Sequence, residues 1–513
     1  MSDLRPAKLN PPTMGVEIEF LIATLEVGKK DPHRGVKGLP PVLRIPRFTK
    51  LRGQAEQYVR DKVQAVLRNS FGTRPLIHPD PDKSPFSLVN YTNWLVEGDY
   101  SVEEDSALYN WVAVEIGSPA EFASPMAFDA ITYAISTITT RFRCLINNSC
   151  GLHVHVGLGS ERLPLEHIRR LASLSWAIEP LLFTLHDPIR RVNTYCSPLR
   201  EHSHIAKGSK AFAEHDNPKI KPLSRLNGKT IQCYPYLGRE VRHGSPPLSV
   251  REQNVQTADI EAFLKTRRPG HYEPYLGPSY NTRIFPSPPW ANDAAKQVEF
   301  RISRAQQGLP SVTTPPTAPA RRRNIPRVQL PRHTIRELRT LVMELGHLTT
   351  ANLNLSYDRN GQLMDDNDTR PDLGVFEGVS QIYSQHASCN IAAQLNSDDP
   401  MAINFNNYQC MYLDASDQKT KRTIEFRLAE GSLDGAWIAV WAKICVGLFK
   451  FALYATPLRF LQVLESCDQA TSGDGTYDVI DLIDDIGLHA EAEIAEKRLM
   501  ANKDKWHLKF AQN

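Results

Sequence analysis

Three segments of the chain alternate apolar and polar positions with a period of two, and in each the polar positions carry ligand-type side chains. The first reads Gly15-Val16-Glu17-Ile18-Glu19-Phe20, the second Gly151-Leu152-His153-Val154-His155-Val156, and the third Thr423-Ile424-Glu425-Phe426-Arg427-Leu428. Successive side chains of a strand leave opposite faces of the pleat, so a period of two marks a strand with one buried face. The pattern predicts strands over 15–21, 151–158 and 421–428, with Val16, Ile18, Leu152, Val154, Ile424 and Phe426 turned to a core. Similar alternation predicts strands over 111–116 and 404–413. A period near 3.6 predicts helices over 52–69, 126–143, 165–185, 334–349, 375–395, 435–455 and 478–502. The elements come in mixed order without a regular strand–helix–strand rhythm, which favours an α+β fold over a doubly wound sheet.

Regular patterning lapses between residues 197 and 332. This stretch contains GSPP, RRPG, PSPPW and TTPPTAPARRR, and reads as a large, loop-rich, Pro/Arg-rich surface insertion. The run Arg321-Arg322-Arg323 within it reads as a solvated linker. The expected organisation is one discontinuous catalytic domain (1–196 and 333–460), the insertion (197–332), and a C-terminal helical extension (461–513). With 41% hydrophobic and 23% charged residues the composition is that of an ordinary globular protein. Lys and Arg number 60 against 57 Asp and Glu, so no strong field favours nucleic acid or a membrane surface, and neither is expected as a partner. The opening residues lack the apolar core of a secretory leader, and no membrane span is expected. The eight cysteines are scattered without a Cys-x-x-Cys pair, which argues against a zinc ribbon or disulfide scaffold and points to a reducing, cytoplasmic setting.

The polar faces of the three strands change the picture most. Glu17 and Glu19 project together, as do His153 with His155 and Glu425 with Arg427. A merely solvated sheet face favours Lys, Thr, Ser and mixed charge. Crowded carboxylates repel one another unless a cation lies between them. Carboxylate oxygens with a minority of imidazole suit magnesium or manganese better than zinc. An arginine on the same wall offers a planar fork for phosphate oxygens. Such a face suits a metal–nucleotide complex. A fourth segment fits it: Trp94-Leu95-Val96-Glu97-Gly98-Asp99-Tyr100-Ser101 precedes Val112-Ala113-Val114-Glu115-Ile116-Gly117-Ser118-Pro119, with Glu115 inside an apolar run.

Look-alikes are set aside on sequence grounds. Gly228-Lys229-Thr230 has Leu223 where a phosphate loop needs its first glycine. His202-Ser203-His204 lies in a polar segment. Val298-Glu299-Phe300-Arg301 repeats the Glu-x-Arg spacing without a following apolar helix. Asp365-Asp366-Asn367-Asp368 lacks the glycine and distal glutamate of a calcium loop.

On these motifs, in this order along the chain, the sequence resembles the amidoligase-like family of the glutamine synthetase/glutamate–cysteine ligase superfamily, in the form common in fungi. The matching residues are Gly15-x-Glu17-x-Glu19-Phe20, Trp94…Asp99-x-Ser101…Glu115-x-x-Ser118-Pro119, Cys150-Gly151-Leu152-His153-Val154-His155, and Thr423-Ile424-Glu425-Phe426-Arg427…Gly431-Ser432-Leu433-Asp434. The segment Ala429-Glu430 departs from the family, whose members often carry a Gln-His pair there. The resemblance implies a curved, mainly antiparallel sheet flanked by helices, like the glutamine synthetase catalytic domain. It implies an ATP- and Mg2+- (or Mn2+-) dependent carbon–nitrogen ligase that joins a carboxylate to an amine through an acyl phosphate. Carried over residue by residue, Glu17, Glu19, Glu115, His153 and Glu425 are implied metal ligands. Arg427 is implied to grip the transferred phosphoryl group, and His155 and Ser101 to lie on the nucleotide side. Asp99 and Asp434 are implied to bind or deprotonate the amine. The substrates implied are small-molecule or peptide carboxylates and amines. The rival readings are a metal-dependent hydrolase built on His153, His155 and a carboxylate, and a catalytically inactive nucleotide-binding relative. There is no His-Glu-x-x-His motif for the hydrolase, and its chemistry leaves the Glu-x-Arg strand without a task.

Overall fold

The computed structural model describes residues 12–46, 52–72, 93–104, 108–159, 162–193, 195–206, 223–226, 229–231, 323–330, 372–383, 385, 388–397, 400–408, 422–472 and 475–511. The helix expected at 334–349, the second Glu-Phe-Arg segment at 298–301 and the acidic run at 365–368 lie outside them. In chain order the strands are β1 (Thr13–Glu26), β2 (Leu43–Ile45), β3 (Leu95–Glu97), β4 (Asn110–Gly117), β5 (Glu121–Phe122), β6 (Cys144–Leu145), β7 (Gly151–Gly157), β8 (Leu223–Leu226), β9 (Lys229–Ile231), β10 (Ile403–Asn404) and β11 (Thr423–Glu430). The helices are α1 (Arg52–Phe71), α2 (Pro125–Arg141), α3 (Leu165–Leu182), α4 (Leu199–His202), α5 (Gly374–Tyr383), α6 (Ser388–Gln394), α7 (Gly435–Tyr454), α8 (Pro457–Ser472), α9 (Val479–Asp485) and α10 (His489–Asn502).

The main sheet runs β10-β11-β7-β1-β4-β3, with β2, β5 and β6 also paired to β1. All of its pairings are antiparallel except β1 with β2. The expected α+β architecture, an antiparallel sheet flanked by helices, is what forms. Alternation places Val16, Ile18, Phe20 and Ile22 of β1, Val114 and Ile116 of β4, Leu152, Val154 and Val156 of β7, and Ile424 and Phe426 of β11 in one continuous core. Helix α7 packs on β7 and β1 and is flanked by α2 and α3. By length and composition α7 could cross a membrane, but most of it is buried in this core. At its start α2 carries Ser124, whose side chain accepts from Ala127 N, and Pro125 in its first turn, where a missing N–H costs nothing.

Several elements depart from the periodicity. The 375–395 pattern divides into α5 and α6, and the 478–502 pattern into α9 and α10. The second break falls at Gly487, whose φ of 84° is a conformation few other residues adopt readily. Lys229 and Thr230 lie in the short hairpin strand β9, not at the mouth of a helix. Both described ends of the 197–332 region join the main core, through Leu199 and Ile205 on one side and Ile325 and Val328 on the other. Arg323 is no solvated linker residue: its guanidinium binds Asp478 at 2.8 and 2.7 Å, and Val328 N donates to the same carboxylate at 2.7 Å.

Candidate active site

Strand register builds the site. Across β1, Glu17 lies opposite His153 on one side and Gly117 on the other, and Glu19 lies opposite Glu115. His155 stands between Gly15 of β1 and Glu425 of β11, and Glu115 stands opposite Glu97 of β3. Directly opposed side chains are the nearest neighbours a sheet offers, so four strands bring the polar positions onto one wall. Glycines hold it open. A Cβ on Gly151 would fall 2.8 Å from His153 Nε2, 3.2 Å from Glu19 Oε2 and 3.3 Å from Arg190 Nη2. Its backbone N–H instead donates to Glu19 Oε2 at 2.6 Å.

Two groups of ligand-type atoms form along the wall: Glu17, His155 and Glu425 in one, Glu19, Asp99 and Glu115 in the other. Within each group the atoms lie within 4.8 Å of one another. His153 sits between the groups. Its Nδ1 is 3.5 Å from Glu17 Oε2 and 3.8 Å from Glu425 Oε1, and its Nε2 is 3.4 Å from Glu19 Oε1. His155 Nε2 is 3.2 Å from Glu17 Oε2 and 3.8 Å from Glu425 Oε1. That nitrogen is buried and has no hydrogen-bond partner, while Nδ1 on the other side of the ring is 3.1 Å from Thr423 Oγ1.

Arginine occupies the β11 end. Arg427 Nη1 donates to Glu425 Oε1 at 2.6 Å and lies 3.5 Å from His153 Nδ1, while Nε donates to Tyr195 O at 3.4 Å. Asn404 Nδ2 donates to the other oxygen of Glu425 at 2.9 Å. The ladder between β11 and β7 shifts by one residue between Phe426 and Ala429, a bulge beside the site. The freed backbone of Arg427 donates to Ala402 O at 2.7 Å and accepts from Arg190 Nη2 at 2.8 Å.

Electrostatically the wall is uneven. Burial pushes the Glu425 carboxyl up, but Arg427, His155 and His153 outweigh it and hold the group down at about 2. At the other end burial, followed by the charges of Glu17, Glu19, Asp99 and Glu97, pushes Glu115 up to about 8. Glu19 is also raised, again chiefly by burial, against the opposing pull of His153.

Of the residues singled out from sequence, the structure brings Glu17, Glu19, Asp99, Glu115, His153, His155, Glu425 and Arg427 together. Asp99 stands in the carboxylate group with Glu19 and Glu115, and its Oδ1 accepts from Ser101 N at 2.6 Å. The backbone of Ser101 thus shapes the turn that presents Asp99. Asp434 caps α7, its Oδ1 accepting from Ala436 N at 3.0 Å and Trp437 N at 3.1 Å. Ser118 is likewise structural, its hydroxyl accepting from Val16 N at 2.9 Å. Sequence reasoning missed Asn404, Thr423 and Arg190. Arg190 is 1% exposed in a short 3-10 turn, Pro188–Val192, and its Nε has no hydrogen-bond partner. The available signal was a charged pair, Arg190-Arg191, in a turn between apolar segments.

The donor set fits a divalent cation: carboxylate oxygens dominate, one bare imidazole nitrogen faces two of them, and in the second group three carboxylates crowd together with His153 beside only one of them, Glu19. A sequence model of the family described as putative amidoligase enzyme matches residues 10–254, which contain β1, β4 and β7. Strand β11, with Glu425 and Arg427, lies beyond the matched span and joins the same wall through β7. No curated protein and no solved structure matches the chain.

Proposed function

We propose, from the match of residues 10–254 to this family of ligase type, that the chain is an ATP- and Mg2+-dependent carboxylate–amine ligase working through an acyl phosphate. The observation that carries the reading is the join of two carboxylate groups to an arginine end on one wall, with His155 Nε2 bare between Glu17 and Glu425. Glu17, His155 and Glu425 would hold one divalent cation, and Glu19, Asp99 and Glu115 a second, with His153 between them. Relative to the sequence expectation, this assignment moves His155 and Asp99 into the metal sets and leaves His153 between them. When bound, such cations neutralise charge on the ATP phosphates during phosphoryl transfer.

The chain's own residues supply position and charge. Arg427 faces the wall with its guanidinium oriented by Glu425 and the Tyr195 carbonyl, so it is preorganised to meet phosphoryl oxygens without reorganising. Arg190 fixes the Arg427 backbone from behind. Transfer of the γ-phosphoryl group to a substrate carboxylate releases ADP. Attack by an uncharged amine then forms the amide and releases phosphate. The test is a panel of carboxylates incubated with ATP, Mg2+ and hydroxylamine. Hydroxamate formation that requires both ATP and the metal is the expected result. Hydrolysis of amides or esters without ATP consumption would sink the ligase reading.

A further inference from the structure

We infer that Thr423, held by Asn407, is a positioning residue that orients the His155 ring and accepts a hydrogen bond from its Nδ1–H, keeping Nε2 free for a divalent cation. The inference rests on the metal reading above and concerns residues outside both ligand groups. Thr423 opens β11, and its Oγ1 lies 3.1 Å from His155 Nδ1. Asn407, in the short 3-10 turn Asn406–Tyr408, donates from Nδ2 to Thr423 O at 3.1 Å and to Thr423 Oγ1 at 3.3 Å. One amide group therefore pins both the backbone and the hydroxyl of Thr423.

The chemistry follows from counting donors. A neutral imidazole carries one N–H, and the nitrogen that bears it cannot ligate a metal. The Nε2 side of His155 faces Glu17 Oε2 and Glu425 Oε1, and it makes no hydrogen bond there although it is buried. A cation shared by those two carboxylates would repel a proton on Nε2. The proton then belongs on Nδ1, where the only polar atom placed to receive it among the described contacts is Thr423 Oγ1. The hydroxyl oxygen has two lone pairs, so it accepts from Asn407 and from His155 together. Partners of this kind, which fix the tautomer and plane of a ligating histidine, commonly change metal affinity by roughly 10–100-fold when removed.

The experiment compares the full-length protein with Thr423→Val, Thr423→Ser and Asn407→Ala. Mn2+ binding is titrated by electron paramagnetic resonance of the free ion. The imidazole nitrogens are read by 15N correlation spectra in the presence of Mg2+, with the His155 signals assigned by their loss in His155→Gln. Valine keeps the branched shape of threonine and removes the hydroxyl, so Thr423→Val should weaken Mn2+ by about 10-fold or more. Thr423→Ser should bind within about threefold of the parent, and Asn407→Ala should lose a few-fold. The parent spectrum should show the His155 proton on Nδ1. Equal Mn2+ affinity in Thr423→Val and the parent overturns the inference. So does a loss in Thr423→Ser equal to that in Thr423→Val, which would make the effect one of packing. A Mg2+-loaded parent with its proton on Nε2 overturns it as well. A parent that binds no Mn2+ at all overturns the metal reading itself and the inference with it, which separates the two failures. If Thr423→Val does not fold, Asn407→Ala and the parent spectrum still decide.

Discussion

Replacing Glu115 by Gln should stabilise the metal-free protein at alkaline pH and at the same time abolish much of its stabilisation by Mg2+. Glu115 faces Glu19 across β4 and β1 and Glu97 across β4 and β3, with Asp99 in the same group. Burial and these like charges move its carboxyl from 4.5 to about 8. A raised acid keeps its proton in the folded state after the unfolded chain has released its own. The unfolded state therefore binds fewer protons through this interval, and stability falls as pH rises from about 4.5 to about 8. A displacement of that size corresponds to at most roughly 5 kcal/mol, and partial solvent access and relaxation reduce it to about 2–4 kcal/mol. Glutamine has nearly the same shape and carries no charge. In chelator, Glu115→Gln should be more stable than the parent by about 2–4 kcal/mol near pH 8.5 and within about 1 kcal/mol of it near pH 5.

Divalent cation should reverse the order. A ligand that binds only the folded state adds stability as the logarithm of its concentration over its dissociation constant. The variant has lost one anionic ligand from the Glu19–Asp99–Glu115 group and should gain less from millimolar Mg2+ than the parent does. Urea unfolding at the two pH values, with chelator and with Mg2+, supplies all four comparisons. The reasoning fails if the metal-free variant is no more stable than the parent at the higher pH. It also fails if both proteins gain equally from Mg2+.

Arg427→Lys keeps the charge but loses the planar fork, so steady-state ATP turnover in the hydroxamate assay should fall by roughly 10²-fold; a loss below about threefold would remove Arg427 from the phosphoryl site. Gly151→Ala forces a methyl group to within 2.8 Å of His153 Nε2, and should weaken Mn2+ by about 10-fold or more while costing about 1–3 kcal/mol of stability in urea; Mn2+ binding equal to the parent would show that the wall accommodates the methyl. Asp434→Ala should cost about 1 kcal/mol as a lost helix cap and leave Mn2+ affinity unchanged, whereas unchanged stability with lost turnover would return Asp434 to the chemistry.

Much of the wall was legible because strand parity needs no long-range information. Glu17 with Glu19, and His153 with His155, must share a face wherever the strand lies, and their apolar neighbours named the core face. Legibility ended where position depends on how distant segments meet. Arg190 looks like one of two surface arginines, and its burial arises only because the turn after α3 docks behind the bulge of β11. Asp99 sits in a loop, so nothing local tied it to Glu19 and Glu115. Thr423 and Asn407 are ordinary strand and turn residues until β11 pairs with β7 and brings Thr423 to His155. Asp434 is the opposite case. An Asp immediately before a long apolar helix is a capping signal, and Asp434 caps α7 as that local rule expects. The division of α9 from α10 was also written locally, in Gly487.

The placement of charge gives the wall a direction. Elsewhere in the fold buried carboxylates are met by protein: Asp31 by Arg143 at 2.9 Å, Asp478 by Arg323, Glu430 by His186 at 2.8 Å and by Arg498, and Glu179 by the N–H groups of Leu199 and Arg200. Glu425 is met in the same way by Arg427 and Asn404. Glu19, Asp99 and Glu115 instead crowd together, with His153 Nε2 3.4 Å from Glu19. Glu19 accepts one backbone N–H and Asp99 another, and the charges that act most strongly on Glu115 are those of Glu17, Glu19, Asp99 and Glu97. Three carboxylates gathered at one end of a sheet store a repulsion that a divalent cation would relieve. With Arg427 on β11, two strands from Glu19 on β1 and three from Glu115 on β4, an anionic group between them would meet a cation on one side and a guanidinium on the other. That polarity suits a phosphoryl group in transfer, which carries its charge on peripheral oxygens, and it gives a neutral or cationic substrate no reason to sit there.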